Sequence, residues 1–242
     1  MKRFAGLGAT VLFAVTLFLL SGCTPRWLVR KVADSHAGCL YDVQTSEKLV
    51  ALTIDDGPDR RTTPAILKVL AQHNASATFF LISSRVSGND TLVARLLREG
   101  HEIGNHFSHA EASSRLTHAE FTRSLHEADS VLKGFANVRW VRPGSGWYNA
   151  RMLRVFDANG YDCALGSVYA FDPQLPFPGH TSRVVLRGAY PGAIVILHDF
   201  GYKGRNTVKV LKLILPELQR RGYRIVTLSR LAESDTSTAA TK

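Results

Sequence analysis

Between about residues 48 and 231 the chain switches its hydrophobic period again and again. Residues 49–54 are an unbroken run of apolar and β-branched side chains, the pattern of a strand covered on both faces, and the run stops at Asp55-Asp56-Gly57-Pro58. Ala65, Ile66, Val69 and Leu70 then recur at helical spacing within 62–73. A second strand is read over 75–82, then a helix over 90–98 capped by Asn89 or Asp90 and stopped at Gly100, then a short strand over 101–104. Thr117 and Glu120 form a Thr-x-x-Glu capping box that opens a long helix over 117–133. The series continues with strand 138–141, helix 149–158, strand 161–166, the fully apolar strand 193–197, helix 207–221 and strand 223–228.

Strict alternation of this kind means parallel strands joined by crossover helices, in an open doubly wound sheet or a closed barrel. Neither an internal repeat nor a second domain is visible, so the fold class is α/β in a single domain. Parallel strands place all their C-terminal ends on one face, and in such folds that face carries the chemistry. Polar residues just past each strand are therefore the ones to collect.

The first strand ends in Asp55 and Asp56, the third is followed by His106 and His109, and the fourth by Arg142-Pro143-Gly144-Ser145-Gly146-Trp147-Tyr148. Asp172 comes a few residues after the fifth, and His198-Asp199 directly after the sixth. A lone strand-end Asp is often a cap and a lone His is often a surface group. Five such coincidences on one rim define a candidate active site. Carboxylate and imidazole donors suit Zn²⁺ first, with Co²⁺ or Ni²⁺ also admissible. A second carboxylate can act as base, a histidine as acid, and an N–H near Gly144 or Gly146 as oxyanion donor. The rim has no thiolate cluster, no Gly-x-Ser-x-Gly elbow and no phosphate-binding loop, which points away from structural zinc, serine hydrolases and nucleotide enzymes. Metal-assisted hydrolysis of an ester or amide is the chemistry these residue types support.

Composition adds the address. Of 242 residues 45% are hydrophobic, enough for a packed core, and the formal net charge is +10. Lys2 and Arg3 precede an apolar stretch over 4–20, and Leu20-Ser21-Gly22-Cys23 resembles the bacterial lipobox. That pattern implies a lipoprotein signal over 1–22, acylation of Cys23, and a linker over 23–47 leading to a domain over 48–231. The small polar stretch 232–242 reads as a disordered tail. The protein is thus expected at the bacterial cell envelope, held to a membrane through lipidated Cys23, and an exported basic chain argues for no nucleic-acid partner. Cys39 and Cys163 are the remaining thiols. Cys163 lies in an apolar run and reads as an ordinary core residue, so no disulfide is expected.

Taken in order, the motifs resemble the polysaccharide deacetylases with the NodB homology domain (carbohydrate esterase family 4), over about 48–231. The resemblance rests on Thr53-Ile54-Asp55-Asp56-Gly57, on Gly100-His101-Glu102-Ile103-Gly104-Asn105-His106, on Arg142-Pro143 with Gly146, and on Ile196-Leu197-His198. Ala77-Thr78-Phe79-Phe80 also looks like that family's second strand. The resemblance implies a distorted (β/α)7 TIM-like barrel and removal of N-acetyl groups from an N-acetylated glycan, chitin-like or peptidoglycan-like. It makes Asp55 the base, Asp56 and His106 metal ligands, His198 the acid, Arg142 the residue orienting the base, Asp172 its support or the histidine's, and the Ser145 N–H the oxyanion donor.

The chain also departs from that pattern. The third ligand is expected four residues after His106, where Ala110 stands; His109, three residues on, reaches the metal if the segment is a helical turn and misses it if extended. Gly144-Ser145 replaces the usual Pro-Tyr, and Trp147 and Tyr148 are the candidates for a sugar platform. Two alternatives stay open: a non-catalytic glycan-binding lipoprotein with a degraded metal site, and a hydrolase of another N-acyl or O-acyl substrate.

Overall fold

In a strand, successive side chains point to opposite faces, and the first long strand shows what this one faces on each side. The computed structural model describes residues 38–236 with Arg26, Trp27, Val29 and Lys31; the leader, Cys23 and residues 237–242 lie outside the described residues. Along the strand Leu49–Asp55, Leu49 and Ala51 pack into a small inner core with Phe80, Trp140, Ala164 and Ile194. Val50, Leu52 and Ile54 pack outward into the larger core beneath the helices. By the same alternation Thr53 and Asp55 face inward, so the catalytic rim opens above the inner core.

The strands are β1 (Cys39–Leu40), β2 (Leu49–Asp55), β3 (Thr78–Leu81), β4 (Glu102–Asn105), β5 (Trp140–Val141), β6 (Asp162–Ala164), β7 (Val168–Tyr169), β8 (Ala193–His198) and β9 (Arg224–Val226). Every named pair is parallel, in the order β1-β6-β5-β4-β3-β2-β8-β7. Strand β2 is the hub. It pairs with β8 along Val50–Asp55 on one edge, and on the other with β9 near its start and β3 near its end. The path begins at β1 and ends at β7, and among the described residues these two do not pair. The single-domain barrel is therefore open at that seam, the distortion expected of it.

Around the sheet lie α1 (Thr62–Gln72), α2 (Asp90–Arg98), α3 (His118–Leu132), α4 (Ala150–Ala158), α5 (Pro178–Gly188), α6 (Gly201–Arg220) and α7 (Leu228–Ala232). Helix α3 carries the predicted capping box, with the Thr117 hydroxyl accepting the Glu120 N–H and Glu120 reaching back to the Thr117 N–H. Strand β9 is shorter than expected because the Thr227 side chain accepts the Arg230 N–H and starts α7. That helix plugs the bottom of the barrel with Leu228 and Leu231, and its Ser229 hydroxyl accepts the Trp140 Nε1–H at 2.8 Å. No helix among the described residues is long and apolar enough to cross a membrane.

Three expectations change here. The stretch 39–47 is part of the domain rather than linker: β1 pairs with β6 and Val43 is buried. At the other end, the Thr236 N–H bonds the Gln44 carbonyl at 2.8 Å and Ser234 is buried, so residues 233–236 pack back on the domain. The third is the disulfide, which is present between Cys39 and Cys163. Their strands place them directly opposite in parallel register, with Cα atoms 4.6 Å apart. Cys163 does lie in an apolar run, but strand β1 brings Cys39 directly beside it, so it is half of a bridge rather than a lone core thiol.

The bridge closes a loop of 124 residues and ties the edge strand to the sheet. Replacing Cys39 with Ser is expected to lower unfolding free energy by about 2–4 kcal/mol, the usual range for a long-loop bridge. Denaturant titration of oxidised wild type and variant, at unchanged m-value, checks it; equal midpoints would count against it.

Candidate active site

Four inward-facing strand ends supply the site. Asp55 ends β2 and His198 ends β8, and the two are register partners on adjacent strands. His106 follows β4, and Arg142 follows β5. Together with Asp56 they line a cleft of about 570 Å³ that also admits Tyr41, Tyr169 and Lys203.

Arg142 is buried among the barrel's side chains. Its Nη1 donates to Asp55 Oδ1 at 2.6 Å and to Thr53 Oγ1 at 2.8 Å; Nε and Nη2 donate to the Ala164 and Leu165 carbonyls at 3.0 and 2.8 Å. The guanidinium also lies over the Phe80 ring, 4.1 Å from its centroid. Burial pulls the guanidinium pKa down and the Asp55 charge opposes that. Asp55 is thereby fixed in position by a group that has no other rotamer to visit.

Asp56 points elsewhere because its backbone is left-handed, with φ 74°. The carboxylate lies beside His106, Oδ1 to Nε2 being 3.7 Å, and its other oxygen takes the Lys203 ammonium. Burial pushes the Asp56 pKa up, but His106 and the Lys203 hydrogen bond outweigh it and hold the carboxyl below its ordinary range. His106 Nδ1 donates to the Arg142 carbonyl at 2.8 Å, so its Nε2 presents a lone pair to the cleft. A carboxylate oxygen and an imidazole nitrogen side by side fit a divalent cation as two adjacent donors.

His109 lines the same cleft but is not gathered with Asp56 and His106 into a ligand group. Phe107 is in the left-handed region at φ 68°, which breaks any helical turn after His106, and His109 is exposed with Nδ1 on the Ser108 hydroxyl at 3.0 Å. Among the described residues no group of three or more His, Cys, Asp or Glu side chains is gathered to hold a metal. Lys203 is the residue that sequence reasoning missed. It lies in the first turn of α6, which was expected to begin only at 207, and no motif flags a lysine there.

His198 Nδ1 bonds both oxygens of the fully buried Asp172, at 3.0 and 3.1 Å, which supports the histidine rather than Arg142. Burial works to lower the imidazole pKa, but the Asp172 hydrogen bond and charge, aided by Asp55 and Asp56, outweigh it and raise the value. Neighbouring Asp199 is structural: its oxygens take the Thr62 and Thr63 hydroxyls and the Phe200 N–H.

On the Gly144–Gly146 turn, Ser145 sits at φ 60° at the cleft. The Gly144 N–H donates to Ser113 Oγ and the Gly146 N–H to the Pro143 carbonyl, leaving the Ser145 N–H as the one not used by either. Gly144 itself is required by packing, since a Cβ there would meet the Glu111 carbonyl oxygen at 2.0 Å. Trp147 and Tyr148 do not line the cleft. Trp147 is 67% exposed beyond the turn, and the Tyr148 hydroxyl meets that of Tyr41 at 2.9 Å. Tyr41 and Tyr169 are the aromatic groups at the cleft instead.

Comparison with known proteins gives this arrangement its family. Residues 42–164 match the polysaccharide deacetylase family. A peptidoglycan-N-acetylglucosamine deacetylase of Bacillus cereus is 36% identical over 212 residues, covering 84% of this chain and 97% of the relative. A crystal structure of a peptidoglycan N-acetylglucosamine deacetylase bound to 4-naphthalen-1-yl-N-oxidanyl-benzamide superposes with a TM-score of 0.78 at 27% identity, covering 88% of this chain and 98% of the other. A family 4 acetyl xylan esterase from Clostridium thermocellum, solved with a cobalt ion, gives 0.69 at 30% identity, covering 76% and 90%. The chain belongs to the polysaccharide deacetylase family.

The Asp172–His198 pair has a signed consequence. A His pKa raised on folding contributes stability that is full below the unfolded value of about 6.5 and is lost as pH rises through the folded value. Asp172→Asn is expected to bring the His198 pKa down, read by NMR titration of the labelled imidazole. An unmoved titration would remove Asp172 from this role.

Proposed function

We propose that the protein is a hydrolase that removes N-acetyl groups from an N-acetylated glycan, with Asp55 and His198 as its proton-transfer pair. The observation that carries this reading is the pairing of each with its own partner on adjacent strand ends: Asp55 with Arg142, and His198 with Asp172. Asp56 and His106 are the residues that would hold a divalent metal, Zn²⁺ by donor type with Co²⁺ or Ni²⁺ admissible. Such an ion polarises an acyl carbonyl and acidifies water.

The chain's own residues do the rest. Asp55, held by Arg142 against rotation, takes the proton of the attacking water. The Ser145 N–H is the donor offered to the carbonyl oxygen as it gains charge. His198 acts as an imidazolium: one proton stays on Nδ1 toward Asp172, and the second, on Nε2 facing the cleft, passes to the departing nitrogen. Tyr41 and Tyr169 supply apolar walls for a sugar ring. Placement at the envelope through acylated Cys23 is part of the same proposal, and the Cys39–Cys163 bridge supports it, since such bridges persist in oxidising compartments.

The second reading, a glycan-binding protein without turnover, is favoured by one observation: Lys203 stands on Asp56, and no group of three potential ligands is gathered among the described residues. One assay separates the two. Detergent-solubilised full chain, stripped with chelator, is tested for acetate release from N-acetylglucosamine oligomers with and without Zn²⁺. Release restored by metal supports the enzyme; oligomer binding without release or metal uptake supports the binding protein.

Asp55→Asn is expected to lower metal-restored acetate release by about 10²–10⁴-fold, the usual contribution of a general base, with metal affinity retained in calorimetry. Unchanged turnover would displace Asp55 from the mechanism. Lys203→Met removes a cation that an incoming ion must displace, so Zn²⁺ affinity by calorimetry is expected to rise at least about tenfold. An affinity that falls would make Lys203 a support of the site rather than a competitor.

A further inference from the structure

Beside the cleft, between the start of α1 and the face of α6, runs a second groove of about 880 Å³ that the deacetylation chemistry does not use. Arg60, Arg61, Arg85, Arg205, Lys209 and Lys212 line it. None of the six makes an ion pair among the described residues. Arg60 bonds only neutral groups, the Asn89 side chain and the Gly88 carbonyl. The groove's one acid, Asp59, is fully engaged in capping: it accepts the N–H groups of Arg61, Thr62 and Gly201.

Arg205, Lys209 and Lys212 stand at i, i+4 and i+7 on α6, one exposed stripe of like charge about 10 Å long. Such a stripe costs helix stability, and no acidic partner in the fold offsets it. The groove and the cleft share no lining residue, but Arg85 of the groove meets Asp56 of the cleft. Arg85 donates to the Asp56 carbonyl oxygen and lies 3.7 Å over the centroid of Phe200, whose ring is 42% exposed and whose backbone is left-handed at φ 80°. A chain that leaves the cleft past Asp56 would meet this guanidinium-aromatic step before the basic groove.

The geometry points to a binding site for the acidic substituents, carboxylate or phosphate, of the glycan strand whose N-acetyl sugar occupies the cleft. This rests on the deacetylase reading and narrows its substrate to an anionic glycan. The concave shape and the adjacency to the cleft at Arg85 and Asp56 favour a strand over a flat bilayer surface.

The test uses full chain carrying Asp55→Asn, so that affinity is measured without turnover, with and without Arg205→Gln, Lys209→Gln and Lys212→Gln together. Glutamine keeps helix propensity at these exposed positions. Fluorescence anisotropy is read with three labelled N-acetylated oligomers of equal length: neutral, carboxylated and phosphorylated. The expected result is at least a tenfold preference for one or both acidic oligomers, weakened by salt and lost in the triple variant, with neutral affinity unchanged. The better acidic oligomer identifies the substituent. Equal affinity for all three, or an equal loss for all three in the triple variant, overturns the groove. Intact acidic preference with no acetate release from the native sequence would overturn the deacetylase reading alone.

Discussion

A guanidinium inside a barrel is the constraint on which the rest of this structure depends. Taking Arg142 and Asp55 out of water costs several kcal/mol per ion, and their mutual attraction offsets this only when every donor is met. Here the remaining donors reach Thr53 and the carbonyls of Ala164 and Leu165, so the side chain is tied to β2 and to the end of β6 at once. Its backbone carbonyl takes His106. One residue thus sets the position of the base, closes the inner core, and orients the imidazole beside Asp56. Removing it would leave a buried carboxylate unpaired, a change of the order of 3–5 kcal/mol, and would release His106 as well.

The second constraint is the left-handed turn at Asp56. Two adjacent carboxylates at a strand end would repel if both faced the same way. Alternation sends Asp55 inward, and the positive φ of Asp56 turns its carboxylate to His106 and Lys203 instead. Each acid then has a cation of its own, Arg142 for one and Lys203 for the other. The turn is locked from behind by Arg85 on the Asp56 carbonyl and by the close approach of Gly57 to Asp199, where an added Cβ would meet Oδ2 at 3.2 Å. The same Arg85 lines the neighbouring basic groove.

Most of the site was legible because it follows from two periods. The switch between strand and helix spacing implied parallel strands, and parallel strands imply one functional rim; Asp55, His106, Arg142 and His198 are all found there. What could not be read was whatever depends on contacts distant in sequence. Strand β1 has two residues and no pattern, so Cys39 was placed in a linker and its bridge to Cys163 went unseen. Strand β7 and helix α5 fall in a stretch broken by Gly and Pro, which hid Tyr169 as a cleft residue. Lys203 and Tyr41 come to the cleft only because α6 starts early and β1 joins the sheet. The helical turn that would have stacked His109 on His106 is absent for a local reason, the positive φ at Phe107, which no spacing rule contains.

Asp55 and His198 are neighbours in the ladder, one strand spacing apart, yet their surroundings are opposite in sign. The carboxylate is paired with a buried cation, and the imidazole with a buried anion. A group that must accept a proton is best held by a cation that cannot give one up, which is what arginine offers. A group that must deliver a proton is best held by a carboxylate that raises its affinity for it, as Asp172 does for His198. Because Asp55 and His198 end strands β2 and β8 rather than standing on loops, their separation is set by the hydrogen-bonded ladder itself. What surrounds that pair comes from elsewhere: the turn at Ser145, the ammonium of Lys203 in the first turn of α6, and Phe200 just before that helix.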